Sequence, residues 1–119
     1  MHIGTLASRT GVSRRLLRYY EEQGLLRPAR LPNGYREYAE SDVDAVHRIR
    51  HLLGAGLPTD VIGTILHCVE HDGDRVVASP CPGVTAQLTR ERTRIDDEIS
   101  RLSGSRRALD ALLGSAASH

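Results

Sequence analysis

The chain has 119 residues, enough for one domain or one small domain with an appendage, and so short a chain can bury only a modest core. Four Tyr with no Phe and no Trp argue against a large stacking pocket for a drug-sized ligand inside one subunit. Net charge is only +1, so bulk charge does not predict a polyanion partner, and no apolar run approaches the ~20 residues that cross a bilayer.

The distribution of charge is more telling than its sum. Seven Arg lie between Arg9 and Arg36, opposed only by Glu21 and Glu22, whereas from His51 onward seven Arg face nine acidic residues. The amino-terminal third is therefore the electropositive end. The chain has no Lys, so any polyanion contact uses Arg, whose planar fork suits phosphate and guanine. The first residues, Met1 to Thr5, lack a basic stretch followed by an apolar one, which predicts no signal peptide. Two Cys in a helical-looking chain do not make a disulfide scaffold. Together these point to a reducing, cytoplasmic location and no membrane partner.

In chain order, Thr5 caps a short helix from Leu6 to about Thr10, and Gly11 supplies a left-handed residue for a sharp turn. Ser13 is the N-cap of a second helix to about Gln23, with Leu16, Leu17 and Tyr20 turned inward. Arg14, Arg15, Arg18 and Tyr19 fall on its outer flank and leading end. Gly24 stops that helix, and Leu25 and Leu26 are apolar enough to begin a core-facing strand. Helix, Gly turn and helix over residues 3–24 form a helix-turn-helix pattern.

Residues 27–38 hold Pro28, Pro32 and the pair Asn33-Gly34, a strong hairpin-turn signal, followed by Tyr35, Arg36, Glu37 and Tyr38. Proline confines such a ribbon to an exposed edge, which is the form of a wing. Ser41 caps a helix over 41–54, with Asp42 and Asp44 near its positive end and Val43, Val46, Ile49, Arg50, Leu52 and Leu53 in helical period. Pro58 opens a further helix to about residue 70, buried through Val61, Ile62, Ile65 and Leu66. Residues 71–83 read as a connector.

From Val84 to Leu113 there is no Pro. Leu88, Ile95, Leu102 and Leu109 recur every seven residues, with Ile99 and Leu113 on the companion line and Arg92 and Arg106 interrupting it. That period describes a coiled-coil seam that needs a partner helix, and a second copy of the chain is the expected partner. Residues 114–119 are left as a tail. The expected fold is mainly α: a winged-helix head over 1–70, a connector, and a long antiparallel dimerisation helix over 84–113.

Taken together, Ile3 to Ser13, the run Leu17 to Glu21 followed by Gly24, Leu25 and Leu26, and the wing run Gly34 to Tyr38 resemble the MerR family of bacterial transcription regulators. The likeness covers nearly the whole chain in the right order. It implies a homodimer that binds a pseudo-palindromic operator and activates by bending and untwisting promoter DNA so that RNA polymerase engages both promoter elements. The energies required, a few kcal/mol, are within reach of protein-induced deformation. On this resemblance the DNA contacts are Ser13, Arg14, Arg15, Arg18 and Tyr19 of the second helix and Tyr35, Arg36 and Tyr38 of the wing. Tyr20 and Tyr38 could equally pack the wing onto the helix.

Short metal-sensing relatives often have a Cys at the start of the long helix and a Cys pair after it. Cys81 stands at the first position, but no Cys follows it, which departs from that pattern. Cys68, His67 and His71 are further donors, and His67 and His71 would share a face on a continuous helix. A transition-metal ion, thiol-based redox or electrophile sensing through Cys81 with Cys68, a small organic effector, and no effector all stay open. An architectural or excisionase-like DNA binder is the alternative function. An enzyme is not expected, because no acidic base at a known spacing, phosphate loop or nucleophile motif is present.

Overall fold

The computed structural model describes residues 1–72, 75–78 and 81–118. The chain divides into two units, Met1–Val84 and Thr85–His119.

In the first unit, helix α1 spans Ile3–Thr10 and helix α2 spans Arg14–Glu22. Helix α1 begins earlier than the Thr5 cap predicts: His2 is its N-cap residue, extended at ψ 166°, and makes no side-chain cap bond. Gly11 ends it at φ 72°, and its N–H donates to Ala7 O at 2.9 Å. An L side chain is strained at that φ, so glycine is what lets two helices meet across a three-residue link. Thr10 is buried there, but its hydroxyl donates to Leu6 O at 2.8 Å and accepts from Val12 N–H at 3.3 Å. No polar group is stranded at that turn.

Strands β1 (Ala29–Arg30) and β2 (Arg36–Glu37) pair antiparallel, with Ala29 opposite Glu37 and Arg30 opposite Arg36. Leu25 and Leu26 are buried as expected but lie in the loop before β1, not in a strand. Helix α3 spans Glu40–Gly54. Ser41 is not its cap: the N-cap is Ala39, whose N–H donates to Asp42 Oδ2 at 2.8 Å. The carboxylate three residues in thus satisfies the donor that a serine hydroxyl cannot reach from inside the helix. Arg50, which falls in α3's apolar period, is exposed.

Helix α4 is shorter than the sequence predicts, Thr59–Ile65, and is followed by a 3-10 turn over Leu66–Cys68. Strands β3 (Val69–Asp72) and β4 (Arg75–Ala78) then pair antiparallel, Val69 opposite Ala78 and Asp72 opposite Arg75. The stretch read as a helix end and a connector is therefore largely a hairpin, because Val69, Val76 and Val77 favour extended backbone over a fourth helical turn. The core of this unit centres on Leu6, Leu17, Tyr20, Tyr38, Val46, Ile49, Ile62 and Ile65, all at most 1% exposed.

Helix α5 spans Val84–Ala117, running through most of the stretch read as a tail. Along it Ile99, Leu102, Leu109, Leu112 and Leu113 are 53–68% exposed. Among the described residues, no helix is long and apolar enough to cross a membrane.

Candidate nucleic-acid interface

Helix α2 is built to present one face and bury the other. Ser13 caps it, its Oγ accepting from Leu16 N–H at 3.1 Å. Leu17 and Tyr20, three residues apart, are sealed in the core, which fixes the helix's rotation. Arg14, Arg15, Arg18 and Tyr19 are consequently exposed, as is Ser13 at the leading end. Leu16 is 39% exposed and does not join the inward stripe, because its position turns it away from the line of Leu17 and Tyr20.

The wing lies beside this helix. Its tip is closed by Leu31 N–H to Tyr35 O at 2.8 Å and Gly34 N–H to Leu31 O at 2.9 Å, while Asn33 Oδ1 accepts from Tyr35 N–H at 3.1 Å. Gly34 at φ 86° provides the reversal that the Asn-Gly pair signals. Tyr35 projects from the tip, 65% exposed, with its ring edge-on to His2 at 6.4 Å between centroids.

Two wing residues behave differently from the sequence expectation. Tyr38 is 1% exposed, so its side chain packs the wing onto the head and cannot touch a duplex. A large ring beside Tyr20 gains more from burial than from solvent, even though its hydroxyl is buried without a hydrogen-bond partner. Arg36 is not a free cation. Its Nε lies 2.7 Å from Glu21 Oε2, although the N–H is not well aligned with that oxygen, so the contact is an ion pair more than a directed hydrogen bond.

Between the start of α1, the outer face of α2 and the wing tip lies an open cleft of about 990 Å³. Its walls include His2, Thr5, Ser8, Arg14, Arg18, Tyr35 and Arg36, with three Arg and no carboxylate among all the lining residues. The field in it is positive despite a nearly neutral chain. Arg14 reaches into it across Gly4: a Cβ built on Gly4 would sit 2.6 Å from an Arg14 guanidinium nitrogen. His2, Gly4 and Glu21 escaped the sequence reading. Only the Glu that follows the Tyr19-Tyr20 pair carried a signal, as part of the family run.

The donor residues assemble in an unexpected way. Cys68 and Cys81 are joined in a disulfide, although two Cys were not expected to pair. The fold places them together: Cys68 is buried at the end of the 3-10 turn, and Cys81 lies three residues before α5, its carbonyl accepting from Val84 N–H at 3.3 Å. The helical face expected to join His67 and His71 does not exist, because α4 ends at Ile65 and residue 71 lies in β3. The side chain of His71 lies outside the described residues. No group of three or more His, Cys, Asp or Glu among the described residues could hold a metal ion. With both sulfurs bonded to each other, this donor set does not fit a closed three- or four-ligand metal centre.

A helix-turn-helix with an arginine-faced second helix and a wing is the architecture of a DNA-binding transcription regulator. Residues 1–67 match the family model described as MerR HTH family regulatory protein, and the chain belongs to that family. It is 35% identical over 113 residues to the HTH-type transcriptional regulator HmrR of Rhizobium leguminosarum bv. viciae, covering 95% of this chain and 84% of that protein. It is 29% identical to the HTH-type transcriptional regulator CueR of Salmonella typhimurium, covering 94% of this chain and 78% of the relative. Among solved structures, the fold resembles the transcription regulator PbrR691 from Ralstonia metallidurans CH34 in complex with lead(II), with a TM-score of 0.75 at 24% identity over 92% of this chain and 82% of that one. It also resembles HiNmlR, a MerR family regulator lacking the sensor domain, bound to promoter DNA, with a TM-score of 0.54 at 21% identity over 98% of this chain and 86% of that one. The family consists of transcription regulators, not enzymes.

Proposed function

We propose that this chain acts as a homodimer that binds promoter DNA through α2 and the wing and distorts the duplex so that RNA polymerase engages both promoter elements. The observation that supports it most is the juxtaposition of an all-cationic cleft with an arginine-rich recognition helix in one head. Ser13, Arg14, Arg15, Arg18 and Tyr19 read or clamp the major groove, while Tyr35 and Arg36 reach the flanking backbone. The exposed ridge of α5, with Leu88 and Ile95 continuing it towards the head, supplies the twofold partner surface. A dimer fixes the spacing of half-sites, and holding two heads on successive turns of one face is what allows a bend or untwist to be imposed. The protein works in the cytoplasm, where its DNA is.

The effector enters through the Cys68–Cys81 pair. In a reducing compartment a disulfide is typically a transient, sensing one. A dithiol reductant supplying two electrons and two protons converts it to two thiols, freeing Cys81 at the lead-in to α5. Relatives named for heavy metals suggest the reduced pair as an alternative soft-metal dithiolate.

The test is in vitro selection of a bound duplex, followed by titration and run-off transcription on a promoter carrying it. Arg18→Ala should weaken binding at every sequence and lower the salt slope by about one phosphate contact. Oxidised and reduced protein should differ in transcription while binding the selected duplex with similar affinity. Binding unchanged by Arg18→Ala, or transcription indifferent to the thiol state and to added metal, would refute the corresponding half of the reading.

A further inference from the structure

We infer that Glu21 is the residue that sets the wing's position on the recognition helix, acting through two wing arginines and thereby governing how well the protein separates its own site from other DNA. This rests on the DNA-binding reading above. Arg30 and Arg36 are direct cross-strand partners in the two-residue wing ladder. Like charges directly opposite each other destabilise an antiparallel pair, and so short a ladder has little else to hold its register. The counter-charge comes from outside the wing: Glu21 on α2 places Oε2 at 2.7 Å from Arg36 Nε and Oε1 at 3.8 Å from Arg30. One carboxylate therefore spans both strands and ties them to the helix that carries Arg14, Arg15 and Arg18.

Its burial gives the contact weight. The Glu21 side chain is 20% exposed and that of Arg36 is 36% exposed, so solvent and salt screen this pair less than an ordinary surface pair. The wing strands themselves offer little packing: Ala29, Arg30 and Glu37 are exposed. Tyr38 anchors the ribbon at its far end in the core, which leaves rotation of the strands about that anchor to be resisted by the carboxylate.

Two consequences follow with opposite signs, which separates a positioning residue from a mere neutralising charge. Removing the carboxylate makes the surface more positive, which should tighten binding to any duplex. Releasing the wing from α2 should instead weaken binding to the one sequence whose flanking phosphates the positioned wing meets. A Glu21→Gln variant should therefore bind a duplex recovered by in vitro selection on the wild-type protein at least about tenfold more weakly, while binding a random-sequence duplex of equal length as tightly as wild type or better. Reversing the pair, Glu21→Arg with Arg36→Glu, should recover part of the loss on the selected duplex, which no generic destabilisation would do. Without DNA, amide exchange over residues 29–38 should accelerate in Glu21→Gln while α1 and α2 keep their protection.

Tighter binding to both duplexes, or weaker binding to both in the same proportion, overturns the inference. So does unchanged amide exchange in the wing. Wild-type protein that binds no duplex would sink the DNA-binding reading instead, and the exchange measurement still decides whether Glu21 holds the wing.

Discussion

Truncating Leu109 to Ala probes the proposed dimer at the point where the ridge is most open. Leu109 is 58% exposed along an α5 whose neighbours Leu102 and Leu113 are 53% and 68% exposed. Fully burying a Leu side chain contributes roughly 1.5–3 kcal/mol, so covering the exposed share contributes roughly 0.9–1.7 kcal/mol per helix. A twofold seam uses the residue twice, giving roughly 1.7–3.5 kcal/mol per dimer as an upper figure for Leu109→Ala. That corresponds to a dimer dissociation constant raised by roughly 20- to 300-fold. Sedimentation equilibrium over a concentration series measures it directly, and the affinity for a two-half-site duplex should fall in parallel. The thermal transition of the first unit, read with its own probe at Tyr20 and Tyr38, should stay put because Leu109 belongs to the second unit. A dissociation constant that moves less than about threefold would refute the seam as placed.

Ser13→Ala removes the oxygen that accepts from Leu16 N–H and should cost about 1 kcal/mol in urea unfolding, with Ser13→Asn close to neutral. Gly4→Ala puts a methyl where the Arg14 guanidinium now lies; the arginine end can swing aside, so stability should hold while affinity for the selected duplex falls, and unchanged affinity would show that this Arg14 placement is immaterial. Hydrogen bonding to Arg9 holds the Glu40 carboxyl below its usual range. The stability difference between wild type and Glu40→Gln should therefore be present above the ordinary carboxylate pKa and vanish as pH falls through the lowered one, a small effect because both groups are exposed; a difference that grows on acidification would reverse the sign. Burial raises the phenols of Tyr20 and Tyr38, so two of the four tyrosines should stay protonated past the usual range in an ultraviolet base titration, and all four titrating together would show that these rings are accessible.

Much of the head was legible because its signals are local. Ser13 caps α2 and Gly11 turns the chain at φ 72° by rules that need no distant residue. Asn33 and Gly34 form the wing tip for the same reason. The exposed arginines of α2 followed from helical period once Leu17 and Tyr20 were taken as the inner face. The errors lie where a distant contact overrides a local preference. Tyr38 looks like a wing-tip phenol by its neighbours, yet the core claims it. The run after Ile65 has both helical and extended character, and pairing of Val69 with Ala78 decided it.

The linear order of residues alone thus determined a winged helix-turn-helix with a cationic face and a long heptad helix, because capping, turn chemistry and periodicity are written within a few residues of each other. Folding in three dimensions decided which of those groups stand free. It gave Arg36 to Glu21, hid Tyr38 in the core, and joined Cys68 to Cys81 across 13 positions. Each of these is a contact between elements, and no local pattern encodes the distance at which two elements meet.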